Sequence, residues 1–251
     1  MLEILPIPAF EDNYIWLINN GRHAVAIDPG DATPVIRQLE QSRLELDAIL
    51  ITHHHYDHID GVAELISKYG VPVYAPAKET YDFAHIPVIE GQKVILRQLN
   101  LTLDVMEVPG HTLGHIAYYA LPLLFCGDTL FSCGCGRLRE GTAEQLYHSL
   151  QRLALLPPDT KVYCTHEYTK TNIGFALKLD PHNPELLQRQ QEVNVCRKTN
   201  RPSLPTTIGL ELQTNPFLRC HTDVIKQAVN QPEHASEIEV FSIIRNLRNH
   251  Y

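Results

Sequence analysis

At 251 residues the chain has room for one large domain, or one domain with a small appendage, and for a core that needs no disulfide staples. Its 21 Lys and Arg against 29 Asp and Glu leave a net charge of −8, which argues against a nucleic-acid or anionic-membrane binder, since either would want a basic face. Apolar residues at 44% and charged residues at 20% exclude wholesale disorder, while 14 histidines, about 5.6% of the chain, make a metal the first chemical question.

The opening residues, up to Phe10, carry Glu3 and no basic residue, so they lack the basic start of a secretory signal. Residues 14–18 and 24–27 read as neighbouring strands joined by an Asn19-Asn20-Gly21 turn. Residues 47–52 form a short apolar run of the kind that makes a buried strand. Ile59, Val62, Ala63, Leu65, Ile66 and Tyr69 then recur at helical spacing, closed by Gly70. Further strands are predicted at 71–74, 94–96, 101–108, 116–120 and 161–164, with a helix over 143–155 stopped by Pro157-Pro158. The longest near-apolar run, 116–126, is interrupted by Pro122 and falls well short of the roughly 18–20 residues that cross a bilayer.

Composition shifts after Tyr168. Helices are predicted over 171–179, 185–199, 223–229 and 236–247, with a polar, proline-containing connection from Asn200 to Asn215. The expectation is a mixed α/β domain over 1–168 and a small helical domain over 169–251. The six cysteines, at 126, 133, 135, 164, 196 and 220, show no disulfide framework and are expected to be reduced thiols in a cytoplasmic protein. Cys133-Gly134-Cys135 is too common a pattern to carry a role by itself.

The strongest local signal is Thr52-His53-His54-His55-Tyr56-Asp57-His58, which contains H-x-H-x-D-H. From the chain's own residue frequencies about 0.002 such matches are expected by accident. In an extended segment residues two apart point the same way, so His53 and His55 can hold one ion; as the chain turns into a helix, Asp57 and His58 point elsewhere and can hold a second. A solvated, idle histidine turn is the bland alternative, and three later elements oppose it. Pro109-Gly110-His111-Thr112-Leu113-Gly114-His115 places a histidine on a tight turn, Gly127-Asp128-Thr129 a carboxylate at a strand end, and Thr165-His166 a last imidazole after a strand.

Taken together, H-x-H-x-D-H, G-H-T-x-G-H, G-D-T and a late T-H resemble the metallo-β-lactamase superfamily. Within it the chain is similar to the bacterial glyoxalase II enzymes, the hydroxyacylglutathione hydrolases. The likeness extends to Ile7–Trp16, Gly127–Phe131, Cys135–Thr142, His166–Thr169 and Asn215–Arg219. This resemblance implies a four-layer αββα sandwich with a small C-terminal helical domain and a centre of two divalent ions. It assigns His53, His55 and His111 to one ion, Asp57, His58 and His166 to the other, and Asp128 to both, with His115 steadying the site from behind. Zinc suits that donor set, with iron or manganese also compatible.

No G-x-S-x-G elbow and no H-E-x-x-H motif is present, so neither a serine acyl-enzyme nor that class of zinc protease has support. Two ions sharing a water would lower its pKa toward about 7. The expected catalytic group is thus a metal-bridging hydroxide held by Asp57 and Asp128, attacking a thioester whose thiol, of pKa about 8.5, leaves without a strong acid. The resemblance further implies S-D-lactoylglutathione as substrate, the second step of methylglyoxal detoxification. It gives the carboxylates of glutathione to Arg137, Tyr168 and the pair Arg245 and Arg248, three apart on one helical face. A monomer is expected, with no nucleic-acid or membrane partner. A mono-iron persulfide dioxygenase, a β-lactamase or lactonase, and a non-catalytic metal binder are the rival readings.

Overall fold

The structure, a computed structural model, describes residues 2–251. The chain packs as two compact units: the first runs to Glu107 and resumes over Leu113–Gly127, and the second is Val108–Thr112 with Asp128–Tyr251.

In the first unit, β1 (Glu3–Ala9), β2 (Asn13–Asn19) and β3 (His23–Ile27) form an antiparallel meander. Every residue of β2 is buried, as expected of a strand covered on both faces. Strand β1 carries Pro6 and Pro8, which an edge strand tolerates but which masked it in the sequence. After β3, α1 (Ala32–Ser42) leads to β4 (Glu45–Leu50), and α2 (Tyr56–Ile59) with α3 (Val62–Tyr69) leads to β5 (Val73–Pro76); β6 (Ile86–Val88) completes a six-stranded sheet in the order β1 to β6. Strands β3 to β6 run parallel to one another. The single helix predicted from Ile59 is interrupted at Gly61, where a β-carbon would lie 2.5 Å from the Ala32 nitrogen and 2.6 Å from the Pro29 oxygen. A second set of strands, β7 (Lys93–Leu96), β8 (Leu101–Glu107), β9 (Ile116–Ala120) and β10 (Leu123–Gly127), is antiparallel throughout. From β9 the buried Tyr118 hydroxyl reaches the carbonyls of Ile51, at 3.0 Å, and Tyr74, at 3.1 Å, tying the two sets together without an unsatisfied phenol.

The second unit holds the hairpin β11 (Leu130–Phe131) and β12 (Gly134–Cys135), then α4 (Ala143–Ala154), β13 (Lys161–Cys164), α5 (Thr169–Leu179), α6 (Pro184–Lys198), β14 (Thr206–Thr207), α7 (Ile208–Thr214), α8 (Asp223–Ala228) and α9 (Glu237–Asn249). Helix α4 starts with a reciprocal capping box, Thr142 with Gln145, and packs on α9, where the Tyr147 hydroxyl donates to Glu237 at 2.8 Å. That packing groups residues 128–168 with the C-terminal helices.

The connection expected over 200–215 is structured: it contains β14 and α7. Its polarity is internal, because Glu211 is fully buried and accepts from the Cys133 amide (2.7 Å), the Thr206 hydroxyl (2.7 Å) and the Asn215 amide (2.9 Å). Burial raises the Glu211 pKa, and those donors act against it. Asn215 also donates to the carbonyls of Phe131 and Gly134, so a polar staple fixes the hairpin that carries Cys133 and Cys135.

No helix of the described residues is long and apolar enough to cross a membrane. All six cysteines are free thiols, five of them buried and Cys196 half-buried. Burial pushes the Cys133 thiol up to about 12 and raises Cys135 as well. Titration of the native protein with a disulfide reagent at pH 8 should therefore show one fast-reacting thiol per chain, abolished by Cys196→Ser, with the other five released only on unfolding.

Candidate metal centre

The first unit supplies four of the expected ligands on the segment after β4. Their orientation depends on a residue outside that segment, Asp28, at the end of β3. Asp28 is 2% exposed and has a positive φ of 52°. Its Oδ1 accepts from the Thr52 amide at 2.7 Å; its Oδ2 accepts from the Thr52 hydroxyl at 2.7 Å and from His58 Nδ1–H at 3.0 Å. Because the Thr52 hydroxyl donates to Asp28, its oxygen is left to accept from His53 Nδ1–H, 3.1 Å away. One carboxylate thereby sets the tautomer of two imidazoles, directly for His58 and through Thr52 for His53, and both present an Nε2 lone pair.

His53 is fully buried, and its Nε2 lies 3.0 Å from His55 Nδ1. Asp57 accepts from the Asn13 side chain at 3.0 Å, and its Oδ2 stands 3.7 Å from His58 Nε2. The fully buried His115 stacks on His53, with ring centroids 4.6 Å apart and planes 19° apart. Gly127, with φ of +47°, leaves the space these rings need: a β-carbon there would be 2.3 Å from Thr52 Oγ1 and 2.9 Å from the His115 ring. Asp28, His53 and His58 also bring potential ligand atoms within 4.8 Å of one another, but the Asp28 oxygens already hold protons from Thr52 and His58. Asp28 is therefore an orienting group for the ligands.

The second unit supplies His111, Asp128 and His166. His111 Nδ1–H donates to the Arg137 carbonyl at 2.7 Å, so its Nε2 carries a lone pair, and that atom lies 3.5 Å from Asp128 Oδ2. His166 Nε2 lies 3.3 Å from the other oxygen, Oδ1. Each oxygen of one carboxylate thus faces a different imidazole. The His166 ring is held flat against Tyr168, 4.7 Å between centroids and 2° between planes, with Phe131 edge-on to both.

These donors fit divalent cations. In the first unit His53 Nε2 and His55 Nδ1 lie 3.0 Å apart, and in the second the His111 Nε2 lone pair faces an anionic carboxylate, an arrangement that repels unless positive charge lies between them. Nitrogen and carboxylate oxygen are the ligand types that zinc and its neighbours take. Each unit therefore carries a buried His and Asp cluster suited to metal.

The other expected site residues are all in the second unit. Arg137 is exposed and Tyr168 half-buried. Arg248 donates from Nε and Nη2 to Asn172 Oδ1, at 3.2 and 3.0 Å. Burial, and then the charges of Arg245 and Arg137, lower its pKa below the usual guanidinium value, while Cys135 and Tyr251 act against them. Arg245, expected on the same helical face as Arg248, is the more buried of the two. It is 2% exposed, donates to the carbonyls of Cys135 (2.8 Å) and Gly136 (3.2 Å), and lies over the Phe217 ring. The helical spacing that places residues 245 and 248 together also turns residue 245 further toward the interior.

Two family models match the chain: the metallo-β-lactamase superfamily over residues 9–166, and the hydroxyacylglutathione hydrolase C-terminus over 167–251. The chain belongs to the hydroxyacylglutathione hydrolases. It is 52% identical, over the full length of both chains, to the hydroxyacylglutathione hydrolase of Methylobacillus flagellatus, and 46% identical to that of Nitrosomonas europaea, covering 100% of this chain and 97% of the other. Among solved structures it is similar to ETHE1 from Myxococcus xanthus, with a TM-score of 0.69 at 27% identity over 98% of this chain and 91% of that one. The fold is accordingly the metallo-β-lactamase-like α/β arrangement, with the helical C-terminal region of the hydroxyacylglutathione hydrolases.

Sequence reasoning on this hydroxyacylglutathione hydrolase missed Asp28 and Asn13. Both sit where a motif scan sees only turns: Asp28 in Ile27-Asp28-Pro29-Gly30, Asn13 in Glu11-Asp12-Asn13. A lone Asp at a strand end was the available signal. Asp28→Ala should weaken metal binding by about 10- to 100-fold, measured by competition with a chromophoric chelator, because the His58 and His53 tautomers lose their anchor.

Proposed function

We propose that the protein is a binuclear-metal thioester hydrolase that converts S-D-lactoylglutathione and water to D-lactate and glutathione, the second step of methylglyoxal detoxification. The observation that carries this reading is Asp128, whose two oxygens each face a separate imidazole, His111 at 3.5 Å and His166 at 3.3 Å, a placement that would let one carboxylate serve two ions. In this assignment His53, His55 and His111 would hold one ion, Asp57, His58 and His166 the other, and Asp128 would serve both. Zinc is the proposed metal.

When bound, the ions supply acidification of the attacking water and compensation for charge growing on the thioester carbonyl oxygen. The chain's own residues do the rest. Asn13 holds Asp57 through its Oδ2, so Asp57 and Asp128 can orient the attacking water toward the carbonyl carbon. His115 keeps the His53 ring in its plane. The leaving glutathione, a thiol of pKa about 8.5, departs as thiolate and needs no acid placed against it.

Arg137, Tyr168 and Arg248 receive the carboxylates of glutathione. Arg245 stands behind them, fixing the Cys135 and Gly136 carbonyls from which Arg137 projects. The depressed Arg248 pKa supports this role, since a site crowded with guanidinium groups gains most from an arriving anion. In this reading residues 1–168 carry the chemistry with Arg137 and Tyr168, and 169–251 form the helical domain that contributes Arg248 to substrate binding, in a cytoplasmic monomer.

Release of free thiol from S-D-lactoylglutathione tests the proposal. Turnover should be lost on complete metal removal and restored by zinc, and Asp128→Ala should lower kcat by at least about 10³-fold; full activity in metal-free protein would falsify the mechanism. Arg248→Ala should raise KM by about 10- to 100-fold with kcat little changed, as expected for loss of one charge-assisted contact made equally in ground and transition states.

A further inference from the structure

Two aromatic residues from the recognised motifs take no part in the chemistry above: Phe10, in the opening run, and Tyr56, inside the histidine motif. Phe10 is 53% exposed and Tyr56 68% exposed, yet the rings meet edge to face, with centroids 6.4 Å apart and planes at 70°. Phe10 also has φ of +51°, a conformation that bulky L-residues adopt rarely and at a cost. The β1–β2 turn that imposes it is the turn that brings Asn13 to Asp57. Gly30 lies beneath both, since a β-carbon there would stand 1.9 Å from the Asp57 main-chain oxygen and 2.8 Å from Phe10 Cε2. The Phe10 ring and the Asp57 backbone thus pack on one glycine, and Tyr56 is the residue next to Asp57. The strained turn thus holds two large, half- to mostly exposed rings beside the carboxylate to which the proposed function gives the attacking water, where a substrate can reach them.

We propose that Phe10 and Tyr56 form the ledge on which the acyl substituent of the thioester rests, and that they set the preference for its size and aromaticity. This rests on the hydrolase reading: Asp57 there orients the water that attacks the carbonyl carbon, and the acyl substituent is bonded to that carbon, so the surface beside Asp57 is within its reach. The two rings recognise an alkyl or aryl group by apolar burial and edge-to-face contact. A methyl substituent touches the ledge little, and a phenyl substituent covers both rings.

The test is kcat/KM for S-D-lactoylglutathione and for S-mandeloylglutathione, in which phenyl replaces methyl. It is measured in the wild-type holoenzyme, in Phe10→Gly and Tyr56→Ala, and in the conservative Phe10→Tyr and Tyr56→Phe. Glycine accepts the positive φ, so Phe10→Gly removes the ring without adding strain. The mandeloyl-to-lactoyl ratio is expected to fall about tenfold in each truncation and to stay within about twofold of wild type in the conservative variants. Because the ratio does not depend on the concentration of active enzyme, partial misfolding leaves it unchanged; metal content per chain is expected to match wild type. A ratio within about twofold of wild type in either truncation overturns the ledge while the hydrolase reading stands. A wild-type holoenzyme that cleaves neither thioester overturns both.

Discussion

The centre depends on one buried carboxylate. Asp28 gathers three protons, from the Thr52 amide, the Thr52 hydroxyl and His58 Nδ1, and in doing so decides which nitrogen of two imidazoles is available to a cation. An imidazole is a ligand only through the nitrogen without a proton, so the tautomer matters as much as the position. Second-unit His111 obeys the same rule with a different partner, the Arg137 carbonyl. The backbone conformation of Asp28, with φ of 52°, is sustained by these bonds and by the surrounding sheet.

A second constraint follows from burial. In the second unit His111, His166 and Asp128 are each at most 7% exposed, so the carboxylate charge meets the imidazole nitrogens in a medium that screens poorly. With neither a proton nor an ion between them such a set raises the free energy of the fold, and a bound cation lowers it. Ion binding and folding are therefore thermodynamically linked here, and part of the affinity of the site is relief of this repulsion. The core beneath, from fully buried β2 to the aliphatic residues of α1 and α3, supplies the stability against which that repulsion is held.

Legibility of the chain was uneven for physical reasons. Strands with clean apolar runs, such as β9 and β13, and helices with caps, such as α4, were visible because local pattern and tertiary role agree. Strand β1 was hidden by its prolines. Helix α7 was hidden because Glu211 and Asn215 read as solvent-facing, whereas they form a buried staple whose partners lie about 80 residues away. The ligand series was readable since metal coordination demands particular residue types in the same short segments. Asp28 and Asn13 were not, because an orienting group needs only one oxygen or one amide in the right place and leaves no spacing signature. Arg245 was legible as helical and cationic, but its inward turn depends on packing against Phe217 and the Cys135 carbonyl.

The placement of the sulfur atoms has a chemical corollary. Glutathione is the product of the proposed reaction, so every turnover liberates a nucleophilic sulfur a short distance from the protein's own. A mixed disulfide forms when a thiolate attacks a disulfide, so the threat to a free cysteine is the oxidised, disulfide form of glutathione, and Cys126, Cys133, Cys135, Cys164 and Cys220 are all shielded from it. The polar staple that clamps the β11–β12 hairpin therefore also acts as armour: it keeps Cys133 and Cys135 out of reach of the disulfide that oxidation of the released thiol would form, and leaves Cys196 as the one sulfur open to exchange.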